Sequence, residues 1–154
     1  VVVKDAFVAM NSAEKISSSL YKWIAGNRGL KRTLAMELQE NIELIRLYVE
    51  TESGYLQLIP QLKDSAFRHA LAEGFNFNAL KRSKIGSEST RGVKQLERYH
   101  GWDTQRMFEN IYAKISVIKA AINIKENKKP LRLGVRLHNI FKLLVMLSNH
   151  IGQK

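Results

Sequence analysis

The stretch DTQRMFENIYAKISVIKAAI, Asp103 to Ile122, decides the fold class of this 154-residue chain. Its apolar residues Phe108, Ile111, Ile115, Ile118 and Ile122 alternate between spacings of three and four, which draws one seam along a helix and suits packing in a bundle. Asp103 stands where an N-cap belongs, its short carboxylate able to accept from the N–H groups of the first turn. Asn127-Lys128-Lys129-Pro130 breaks the pattern, and Leu133, Leu137, Ile140, Leu144, Leu147 and Ile151 resume the same alternation in a last helix. A connection that short predicts antiparallel neighbours.

Upstream, Leu34, Leu38, Ile42, Ile45 and Val49 line one helix face, while Arg32, Gln39, Glu43, Arg46 and Glu50 fall opposite. Arg46 lies within a turn of both Glu43 and Glu50, so this face can lace itself with weak, exposed ion pairs. Phe7, Met10, Ala13, Ile16, Leu20 and Ile24 predict an earlier helix, ended by Gly26 and Gly29. Gly54 suits a left-handed helix cap, and Pro60 suits the first turn of a third, shorter helix running to Gly74. Phe75 to Gly101 keeps no period beyond a short helical candidate, Val93 to His100. The expectation is one helical domain over residues 1–154, all-α and four-helix-bundle-like. It has one shorter inserted helix and a long irregular basic connection across residues 75–101. Connections of that length in a compact domain are usually functional or mobile.

Twenty-five Lys plus Arg against 14 Asp plus Glu give a formal charge of +11, and there is no cysteine. Disulfide frameworks, thiolate metal sites and cysteine nucleophiles are therefore excluded. The longest apolar run, within Ile140 to Leu147, falls far short of the roughly 20 residues of a bilayer span. The opening Val1-Val-Val-Lys-Asp lacks the basic and apolar regions of a signal peptide, and the expected location is cytoplasmic.

The positive charge is concentrated. Segments 53–101 and 128–154 carry +4 and +6, the latter with no acid at all. Lys81, Arg82, Lys84, Arg91, Lys94 and Arg98 in the connection, with Lys128, Lys129, Arg132 and Arg136 near the last helix, form the candidate binding surface. Fields of that sign attract polyanions, and each phosphate neutralised releases counterions, so RNA or DNA backbone is the expected partner. No recognition helix, zinc-finger spacing or aromatic sheet motif is present, and sequence-specific readout is not expected. Phe75, Phe77, Tyr99 and Trp102 bracket the basic connection. They serve either as stacking platforms for unpaired bases or as anchors pinning the connection to the core, and the second use is the commoner.

No Gly-rich phosphate loop and no nucleophile elbow occur, and no two of the four histidines share the spacing of a zinc-hydrolase helix. His69 and Glu73 are four apart on a helix, but no third ligand joins them, so neither metal nor cofactor is expected. Arg132-Leu-Gly-Val-Arg-Leu-His138, an Arg and a His separated by five residues on the last helix, resembles the spaced Arg–His signature of HEPN-domain ribonucleases. The resemblance covers these seven positions and the helical architecture. It implies metal-independent RNA cleavage at a dimer cleft, with His138 as acid–base residue and Arg132 as phosphate clamp. The alternative is a solvated Arg and His on a basic helix face. A third reading is an interaction or assembly module. The last helix is apolar almost all round from Phe141 to Leu147, and that excess is either buried centrally or meets a partner helix or a second copy.

Overall fold

In the computed structural model, residues 20–51, 54–124 and 132–153 are described. Among them every regular element is helical. Residues 20–25 form α1, followed by α2 (Gly29–Thr51), α3 (Tyr55–Leu58), α4 (Ser65–Ala72), α5 (Ser87–Thr90), α6 (Thr104–Ala121) and α7 (Leu133–Gly152). Three 3-10 turns, Ile59–Gln61, Phe77–Ala79 and Lys94–Tyr99, lie between the helices. The expected Phe7–Ile16 stripe and the break at Asn127–Pro130 lie outside the described residues.

The periodic residues become the core. Leu34, Leu38 and Ile45 on α2, Phe108, Ile111, Ile115 and Ile118 on α6, and Leu137, Ile140, Leu144 and Leu147 on α7 are all buried, as are Leu20 and Ile24 on α1. Helix α7 packs against α2, α5 and α6, and from Ile140 to Ile151 every residue but Lys142 is buried, whereas Val135, Arg136 and Asn139 in its first half are exposed. Phe141, Leu143, Val145 and Met146 are therefore buried within the chain. The apolar excess of the last helix is spent on intramolecular packing. Asp103 caps α6 as its sequence position predicts, Oδ1 accepting from the Arg106 amide at 2.8 Å.

The third helix departs from expectation. Pro60 opens a 3-10 turn instead of a helix running to Gly74, and the chain turns extended at Leu62 (ψ 132°) before α4 restarts at Ser65. Distant polar groups hold the break. The Asn41 side chain exchanges two hydrogen bonds with the Lys63 backbone, accepting from its N–H at 2.7 Å and donating to its carbonyl at 2.8 Å. Lys119 donates to the Leu62 carbonyl at 2.7 Å. Buried Glu37 accepts from the Ala66 and Phe67 amides at 2.7 and 3.2 Å, placing a carboxylate on the exposed donors and positive dipole end of α4. The buried Tyr112 phenol beside it has its pKa pushed well above the ordinary value, by burial first and by Glu37 second.

The connection across 75–101 is also more ordered than its sequence suggests. It holds α5 and two of the 3-10 turns, and the helical candidate Val93–His100 forms the turn Lys94–Tyr99. Backbone bonds from Ile85 N–H to the Trp102 carbonyl and from Gly101 N–H to the Ile85 carbonyl, each 2.9 Å, close it on itself. Phe77 is fully buried among Phe67, Phe75 and Phe108, ring centroids 5.1–5.4 Å apart, so these aromatics anchor the connection.

Candidate functional site

Two helix faces meet beside the core seam. On α6, Asn110, Ala113, Lys114 and Val117 repeat at the i, i+3, i+4, i+7 spacing, one strip removed from the buried isoleucines. Facing them on α7 are Arg136, Asn139 and Ile140, and together these residues line a cavity of about 330 Å³. A second cavity of about 470 Å³ adjoins it, sharing Lys114 and Asn139 and adding Lys94, Arg98 and Tyr99 from the connection and Lys142 from α7. The two form one groove. Five cations line it, Lys94, Arg98, Lys114, Arg136 and Lys142, and among the described residues no Asp or Glu does. Lys114 is oriented by donating to Asn110 Oδ1 at 3.0 Å, a neutral partner that leaves its charge uncompensated.

Ion pairs gather on the other side of α2. Arg46 bridges Glu43 (3.3 Å) and Glu50 (3.5 Å) as the sequence predicts, Lys63 meets Glu40 at 2.6 Å, and Arg68 meets Asp64 at 2.9 Å, all on α2, α4 and the chain between them. A larger cavity of about 910 Å³ beside α1 and α2 mixes Arg32 and Lys63 with Glu40 and Glu43, so charges of both signs line it. Like charges brought together on one groove raise one another's energy.

Of the ten cations singled out by sequence, Lys94, Arg98 and Arg136 line the groove. Lys81 does not, because its ammonium donates to the Gln153 carbonyl at the end of α7, where it neutralises a helix C-terminus. Arg82, Lys84 and Arg91 are exposed around α5, Arg91 with a left-handed backbone (φ 47°). Lys128 and Lys129 lie outside the described residues. Two groove cations escaped selection. Lys114 sits in a helix of nearly balanced charge, and Lys142 interrupts the apolar run Ile140–Leu147, which was itself the signal.

Arg132 is exposed and precedes α7 as its cap, with a left-handed backbone (φ 50°) that takes it off the helical path on which the Arg–His spacing was counted. His138 is half-buried, its ring set edge-on against Tyr48 at 5.5 Å, and Tyr48 in turn meets Tyr55 at 5.8 Å. His69 and Glu73 are both exposed on or beside α4, and no group of three metal-binding side chains occurs among the described residues. The Trp102 ring carries the Arg106 guanidinium 3.7 Å from its centroid and Tyr99 edge-on at 4.9 Å.

The most concentrated buried chemistry is a hydroxyl–imidazole relay. Thr104 spends its one proton on the Lys81 carbonyl at 2.6 Å and must therefore accept at 3.0 Å from His150 Nε2–H. That tautomer leaves Nδ1 as an acceptor, 3.3 Å from the Ser89 hydroxyl. Burial, and then the charge of Lys81, lower the His150 pKa from 6.5 to about 4. Ser89, Thr104 and His150 are all buried, so the relay ties α5, α6 and α7 together out of reach of substrate. A second pair, Thr90 Oγ1 and His100 Nε2 at 3.1 Å, pins the end of α5.

Compared with known proteins, the chain matches no family model, no curated protein and no solved structure.

Proposed function

We propose that this chain binds a polyanion, the sugar–phosphate backbone of RNA or DNA, along the groove between α6 and α7 without reading its sequence. The observation that carries the reading is the convergence of Lys94, Arg98, Lys114, Arg136 and Lys142 on one groove whose described lining has no carboxylate. Arg98 and Arg136 present planar forks that engage phosphate oxygens in pairs, whereas the lysines act as mobile point charges. The 3-10 turn Lys94–Tyr99 is held by buried Leu96 and Tyr99, so two of the cations project from an anchored segment. Preorganised charge of this kind needs little ordering on binding.

Fluorescence anisotropy of labelled RNA and DNA over a salt series tests the reading. If all five cations meet phosphates, log affinity falls against log salt with a slope approaching about −3.5 on a single strand and about −4.5 on a duplex. Arg136→Glu, at an exposed position, is expected to weaken binding about tenfold or more with an unchanged circular dichroism spectrum. Absence of binding at low salt, or binding indifferent to reversal of both Arg98 and Arg136, would overturn the proposal.

A further inference from the structure

The two cavities of the groove differ in chemistry. The one carrying Lys94, Arg98 and Lys142 is bordered by cations on the connection and on α7. The other is walled by Ala113, Val117 and Ile140, with the amides of Asn110 and Asn139 and the guanidinium of Arg136 around them. Phosphates alone make no use of an apolar recess. Val117 is 54% exposed there, a large aliphatic surface left in water beside a concentration of charge. A volume of about 330 Å³ is at the small end of the range in which proteins enclose small organic ligands.

Resting on the polyanion reading, we infer that the groove is built for a single strand: the aliphatic cavity receives one unstacked base, and the adjoining cationic cavity holds the neighbouring phosphates. Lys114 and Asn139 line both cavities, which sets them side by side, as a base and its own backbone are. Unpaired bases are held between flat or aliphatic side chains and met on their edges by amides, and an arginine plane adds a stacking face. Within a duplex the bases are already stacked and paired, so a duplex offers this cavity nothing and engages the cations alone. Either RNA or DNA supplies the required chemistry. Asn110 already accepts from Lys114, leaving its NH₂ for a base edge, so any preference among bases is modest.

The experiment measures affinities of the full chain at one salt concentration for four probes with equal numbers of phosphates. They are short oligouridylate, short oligothymidylate, an abasic DNA strand of the same length, and a duplex. The base-bearing strands are expected to bind about tenfold or more tightly than the abasic strand and the duplex, burial of one base against the aliphatic wall being sufficient for that factor. Ala113→Leu fills the cavity from an exposed helix position without changing charge. It is expected to lower the affinity of the base-bearing strands about tenfold, and that of the abasic strand by less, so that the gap between them closes; a gap that stays open overturns the base cavity. Equal affinity for base-bearing and abasic strands, or a duplex bound more tightly than either, overturns the base cavity and leaves the polyanion groove standing. No binding of any probe at low salt overturns both.

Discussion

Lowering the pH is expected to destabilise this protein through His150 in a window its relay defines. The folded ring is neutral, donating from Nε2 to Thr104 and accepting at Nδ1 from Ser89, with a pKa near 4 against an ordinary value of 6.5. Between those values the unfolded chain carries a proton that the folded chain excludes, so protons favour unfolding. The contribution is complete above about pH 6.5, is lost progressively as pH falls toward 4, and stops changing below that, where both states are protonated. A shift from 6.5 to about 4 corresponds to at most about 3 kcal/mol, and to about 1 kcal/mol if screening is generous. Urea unfolding followed by circular dichroism between pH 7 and pH 4 measures it, with His150→Phe as the comparison. The variant leaves Ser89 without its acceptor and is expected to be less stable at neutral pH by about 1–3 kcal/mol. The diagnostic is the gap between the two proteins, which narrows as pH falls, because only the wild type loses the histidine contribution. Carboxylate protonation acts on both proteins alike and cancels in the comparison. A gap that stays constant across the window would refute a buried neutral His150.

Lys81 links this relay to the question of binding. Lys81→Met removes the charge that helps depress His150 and the bond to the Gln153 carbonyl, so an NMR titration should show the His150 pKa rising and heating should show a lower melting temperature. Nucleic-acid affinity should stay within about twofold of wild type, and a loss as large as that of Arg136→Glu would put Lys81 back on the binding surface. Glu37→Ala strips the carboxylate from the Ala66 and Phe67 amides, and urea unfolding is expected to show a loss of about 2 kcal/mol. A loss no larger than a typical surface substitution, under about 0.5 kcal/mol, would mean that Glu37 does not hold the α4 restart. Asp103→Ala removes the α6 cap bond to Arg106 N–H and is expected to lower stability by about 1 kcal/mol in the same assay.

What the sequence shows and what it conceals divide by the range of the cause. The stripes through Leu34–Ile45 and Phe108–Ile118 and the cap at Asp103 are set by residues within a few positions of one another, and each is buried or bonded as its spacing predicts. The broken third helix is set from afar. Asn41 is 22 residues from Lys63, and Lys119 is 57 from Leu62, so no window around Pro60 contains the groups that stop the helix. The candidate site divides the same way. Total charge is written in the chain, but whether a lysine is available to a ligand depends on which oxygen the fold brings to it. Lys81 and Lys119 meet carbonyls left open at the Gln153 and Leu62 chain turns, and Lys63 meets Glu40. Lys114, in contrast, is packed beside an amide and aliphatic side chains and donates to a neutral oxygen, which leaves its charge for the anion proposed above. Reading charge as function therefore requires subtracting the cations that the backbone has already claimed, and only the tertiary structure supplies that subtraction.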